Sequence, residues 1–181
     1  MRQPTLLSLI LSESMRPVIL IVAEQFRQWT HNETRRWYRG EKVLSQIWSV
    51  DVGKLAELFA SLGWDYENKS YYKKLNACRL VVNVFKHGDG SSLNKLKEDN
   101  SEYLFNPLQN FDDVFSDVNN LDHTALKIND KHILEFSDAI TEFWQDVPVQ
   151  IVNVPEAALP NWFERAVDSD RNANTNEANS N

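Results

Sequence analysis

The sequence predicts a predominantly α-helical protein, a bundle of about five or six helices with a small β element. Three observations lead there. Apolar residues recur at three- and four-residue spacing through most of the chain. Period-two alternation is confined to short stretches near the C-terminal third, and the five glycines are scattered at expected turns.

Taken in order, Leu6, Leu7, Ile10 and Leu11 open a first core helix. Val18, Ile19, Val22, Ala23 and Phe26 keep the same period beyond Pro17, whose missing N–H kinks or breaks the run. The apolar run behind Arg2 is too short to span a bilayer, and Glu13 and Arg16 follow at once without a small-residue cleavage site. No membrane association is expected. The chain turns at Arg39-Gly40-Glu41, and Leu44, Ile47 and Trp48 mark the next helix. Val52, Leu55, Leu58, Phe59 and Leu62 form an amphipathic helix closed by Gly63 as a left-handed cap.

A helix over Tyr71–His87 follows and stops at Gly88-Asp89-Gly90. Ser91 or Ser92 suits the start of a short helix through Leu93 and Leu96. Asn106-Pro107 suggests another start, continued by Leu108, Phe111, Val114 and Phe115. Thr124–Ile128 is the best strand candidate, paired with something equally short. Ile133, Phe136, Ile140, Phe143 and Trp144 make a strong helical stripe ending before Pro148, and Val147, Val149 and Ile151 alternate as an extended segment. A last short helix starts at Pro160 and carries Trp162 and Phe163. Residues 168–181 hold no aromatic or large aliphatic side chain, which predicts one domain over residues 1–167 and a disordered tail.

With 181 residues, six Trp and nine Phe, the chain can bury a sizeable core. Its single cysteine, Cys78, falls on an apolar stripe and reads as a small core residue. A lone thiol excludes an internal disulfide framework and suits a reducing, cytoplasmic setting. The net charge of −7 is uneven: residues 1–90 carry 13 Lys/Arg against 9 Asp/Glu, and residues 91–181 carry 6 against 17. The basic run Arg35-Arg36-Trp37-Tyr38-Arg39 reads as a solvated turn, with an anion-binding patch as the other reading.

The chemistry concentrates on the Tyr71–His87 helix. At ~100° per residue it is apolar nearly all round, yet Arg79, Asn83, Lys86 and His87 share one quadrant. On a buried helix these groups need partners or must line a cleft, because an unpaired buried polar group costs ~1–3 kcal/mol. A histidine beside cations and an amide can move protons and hold a phosphate. The plainer reading is that Lys86 and His87 complement the negative helix end and Gly88 terminates it. His123 and His132 lie beside Asp122 and Asp130 without a metal-ligand spacing, so no metal and no cofactor are expected. There is no glycine-rich phosphate loop and no serine nucleophile elbow. Asp112, Asp113 and Asp117 form an acidic helix face that reads as solvated.

The segment Asn83-Val84-Phe85-Lys86-His87 resembles the Asn-x-x-x-His core of the HEPN superfamily, helical-bundle proteins common among bacterial toxins and phage-defence ribonucleases. The resemblance implies a metal-independent endoribonuclease assembled across a homodimer, with RNA as substrate and a toxin or antitoxin protein as possible partner. His87 takes the place of the general acid/base and Asn83 that of the polar residue. The family's arginine directly before that polar residue is replaced by Val82, leaving Arg79, one turn earlier, and Lys86 as the cations nearest the phosphate site. The alternative is a non-enzymatic inhibitor, an antitoxin or immunity protein whose acidic second half covers a basic toxin. A structural protein without a catalytic site is the third reading.

Overall fold

The computed structural model describes residues 24–106, 120–150 and 158–178. Seven α-helices lie among the described residues: α1 (24–37), α2 (Glu41–Ser49), α3 (Val52–Ser61), α4 (Tyr72–His87), α5 (Ser91–Asp99), α6 (Asp130–Asp146) and α7 (Asn161–Ala178). Short 3-10 turns occupy Tyr66–Asn68, Ser101–Tyr103 and His123–Ala125. The protein is mainly helical, as its periodicity predicts. The expected helices near the N-terminus and after Asn106, and the acidic face of Asp112, Asp113 and Asp117, lie outside the described residues.

Within the span read from sequence as one domain, residues 1–167, and in the segment after it, the described residues group into two compact units. Described residues 70–106 and 120–145 belong to one; 24–69, 146–150 and 158–178 belong to the other. The reason is that each set of helices closes its own core.

In the first unit, Ala77, Cys78, Leu80, Val81 and Val84 of α4 meet Leu93 and Leu96 of α5, Tyr103, and Phe136 of α6. Leu104, Leu126 and Ile128 pack against that cluster. Cys78 is a core residue, and burial pushes its thiol pKa up to about 12. The small β element is not formed. Among the described residues there is only an isolated antiparallel bridge between Leu104 and Leu126, flanked by Phe105 N–H donating to Ala125 O (2.7 Å) and Lys127 N–H to Tyr103 O (2.8 Å). Thr124–Ile128 fails as a strand because Asp122 winds its start into a turn, accepting from the Thr124 N–H (2.9 Å) and hydroxyl (2.5 Å). Gly88 terminates α4 with φ 73°, a backbone region open to glycine. Asn129 caps α6 by accepting from His132 N–H at 3.0 Å.

The second unit is built around aromatic rings. Phe26 lies 5.2 Å from Phe59, 5.9 Å from Tyr66 and 6.1 Å from Trp64, and Trp37 packs on Phe163 at 5.9 Å. Asp51 caps α3 through Lys54 N–H, and Gly63 (φ 91°) follows its C-cap. The most consequential contact is a cap made at long range. Gly40, the residue at the N-cap of α2, has no side chain to offer, and the Asp170 carboxylate accepts from Lys42 N–H (2.9 Å) and Val43 N–H (3.1 Å). Residues 168–178, expected to be disordered, are helical in α7, and Asp170 within them makes this buried polar contact. The segment after α6, expected to be extended, shows bends over residues 147–150, with Val149 exposed. No helix among the described residues is long and apolar enough to cross a membrane.

Candidate functional site

α4 supplies the site because three of its four sides are committed to packing. Ala77, Cys78, Leu80, Val81, Val82 and Val84 are buried. The remaining side is left to water, and it is the polar one: Arg79 and His87 are exposed, Asn83 and Lys86 half-buried. The four residues form a surface stripe, so none of them needs a protein partner to offset desolvation.

The partners that do exist are few. The Arg79 guanidinium donates from Nε (3.2 Å) and from one terminal nitrogen (2.7 Å) to Asn76 Oδ1, on its own helix. Among the described residues no carboxylate forms an ion pair with Arg79 or Lys86. Val82, which occupies the position of the expected arginine, is only 5% exposed. A cation there would be driven into the core, so the cationic role on this face falls to Arg79 and Lys86.

Immediately past His87 the chain makes a contact that sequence spacing did not reveal. Asp89 Oδ1 accepts from both the backbone N–H (2.8 Å) and ring Nδ1 (3.0 Å) of His123. A β-carbon built on Gly88 would sit 3.6 Å from the same ring. His123 adjoins Asp122 in sequence, whereas the carboxylate its ring meets is that of Asp89, 34 residues away. Asp122 instead holds the turn that presents His123, and the Thr124 hydroxyl and N–H keep its carboxyl below the ordinary carboxylate range.

A second polar group was also missed. Lys74 Nζ of α4 donates to Glu135 Oε2 (2.8 Å) and to the Tyr103 hydroxyl (3.1 Å), with Glu102 Oε1 at 3.8 Å. The bond to Glu135 raises the lysine pKa and lowers that of Glu135, while burial raises the Tyr103 phenol. The His132 ring stands edge-on to Tyr103 at 4.9 Å, its pKa lowered chiefly by burial. Tyr103 is fully buried, and through it and Glu135 the lysine braces α4 to α6.

The basic run resolves along similar lines. Arg36 is held by both oxygens of Glu33 at 3.0 Å, Trp37 and Tyr38 turn toward α7, and Arg35 and Arg39 are exposed. The run, expected as a solvated turn, is the last turn of α1 through Trp37 and a non-helical link at 38–40, with Trp37 and Tyr38 in contact with α7. Among the described residues no three His, Cys, Asp or Glu side chains gather in a way that could hold a metal ion. Comparison of the chain with family models, with curated proteins and with solved structures finds no match.

Proposed function

We propose that the chain is a HEPN-like protein of bacterial defence or toxin–antitoxin type, a metal-independent endoribonuclease acting on single-stranded RNA. One observation carries the reading: a stripe of Arg79, Asn83, Lys86 and His87 stands at the surface of a core helix with its two cations unopposed by carboxylates among the described residues. A core helix is a rigid support, and rigidity is what positions proton-transfer groups to the tolerance catalysis demands. The nucleophile is the ribose 2′-hydroxyl adjacent to the scissile phosphate, so no metal-bound water is required. His87 moves the proton, Lys86 and Arg79 offset the charge that develops on the phosphate, and Asn83 orients a phosphate oxygen through its amide. Arg79 exchanges the neutral Asn76 acceptor for phosphate at little electrostatic cost. An open stripe on one chain is half of a cleft, and a second copy of α4 across a homodimer would supply the other half.

The test is expression and cleavage. The intact chain should arrest growth and cut a mixed RNA pool equally well with and without EDTA, and His87→Ala should abolish both effects. Protection from a basic toxin, with no arrest and no cleavage, would establish instead the acidic inhibitor suggested by the excess of Asp/Glu after residue 90.

A further inference from the structure

We infer that His123, oriented by Asp89, is a second catalytic residue: the general base that complements His87 as general acid in cleavage of RNA. The inference rests on the ribonuclease reading above and extends it to the chemistry of the whole step. Its basis is the juxtaposition past the end of α4. Asp89 receives two hydrogen bonds from one residue, His123 N–H and Nδ1. With the proton held on Nδ1 by the carboxylate, the lone pair stands on Nε2, which has no hydrogen bond among the described residues. The His123 side chain is half exposed, so that nitrogen is open to a substrate. A β-carbon built on Gly88, the residue directly after His87, would meet the His123 ring at 3.6 Å, which places this imidazole beside the C-terminal end of the helix that carries His87. A lone histidine must both take and return a proton, whereas a pair can divide the work.

The step balances without a co-reactant. His123 Nε2 takes the proton of the ribose 2′-hydroxyl as the 2′-oxygen bonds to phosphorus. The bond from phosphorus to the 5′-oxygen breaks, and that oxygen leaves with the proton given up by His87 imidazolium. The products are a 2′,3′-cyclic phosphate and a free 5′-hydroxyl, with Lys86 beside the phosphoryl oxygens. Asp89 touches no reacting atom and is a positioning residue.

Two measurements on the full chain decide the matter. In the first, a short oligoribonucleotide is cleaved by wild type, His87→Ala, His123→Ala and Asp89→Ala. General acid–base catalysis contributes ~10²–10⁴-fold, so His123→Ala should lower kcat by about that factor with KM little changed. Asp89→Ala should do so more weakly while shifting the His123 ring away from the Nδ1–H tautomer seen by nitrogen NMR. In the second, the imidazole signals of wild-type protein are followed during titration with the uncleavable 2′-deoxy oligonucleotide, and those of His87 and His123 should move together. Cleavage that survives in His123→Ala but fails in His87→Ala, or a His87 signal that moves while His123 stays still, overturns the second histidine and leaves the ribonuclease reading standing. Absence of both cleavage and imidazole shifts overturns the two together.

Discussion

Gly88 and His132 show how single positions carry more than their sequence context suggests. At Gly88 the φ of 73° sets the cost of substitution, since an added β-carbon meets only ordinary contact distances. Gly88→Ala should destabilise the first unit by ~1–3 kcal/mol, read as a lowered midpoint in chemical denaturation. Burial is the chief cause that lowers the His132 pKa; Glu135 and Glu102 pull it up while Lys74 and Lys131 push it down. Its folded pKa lies below the ordinary value of 6.5, so the unfolded chain takes up the proton first as pH falls. The stability tied to this residue is present above that value and is lost as pH drops toward the folded pKa. His132→Phe keeps a ring against Tyr103 without the titration, and it should flatten the fall of the melting temperature below pH 6.5; an unchanged profile would show that the loss arises elsewhere. Glycine stops and the core role of Cys78 were legible in the sequence because each depends on local pattern. The Asp89–His123 and Lys74–Tyr103 pairs were not, because their partners lie 34 and 29 residues apart with no periodicity linking them.

Helices announce themselves through their apolar period, and α3, α4 and α6 fall close to where that period places them. What period cannot convey is how an end is satisfied. The start of α2 carries no capping side chain of its own, and the acceptor comes from the polar stretch that looked too hydrophilic to fold. Absence of apolar residues signals disorder only where no buried polar contact replaces them. Asp170→Ala should therefore cost ~0.5–2 kcal/mol, the usual range for losing a helix cap, and truncation after Val167 should lower the thermal midpoint at least as much. Gly40→Ala should be worse than its small size implies, because the new β-carbon overlaps the Asp170 carboxyl. Circular dichroism melts of the three variants check this, and wild-type stability in the truncation would show that the cap is dispensable.

The fold class was readable from the whole chain, while its division into two units was not. One continuous helical pattern gives no sign of which stripes share a core. Val82→Asp tests that division, since an unpaired carboxylate at a buried position of α4 is among the most disruptive substitutions available. Hydrogen exchange should show protection lost first in α4, α5 and the middle of α6. If instead only the rings around Phe26 and Phe59 loosened, the packing described for α4 would be wrong. The long-range cap on α2 has a further consequence, in the order of synthesis. Asp170 leaves the ribosome 128 residues after Lys42, so the nascent α2 waits uncapped while all described parts of the first unit emerge and can close their own core. The second unit then matures late, and its early segment, rich in exposed aromatic rings, is the portion of the nascent chain that would most benefit from chaperone cover.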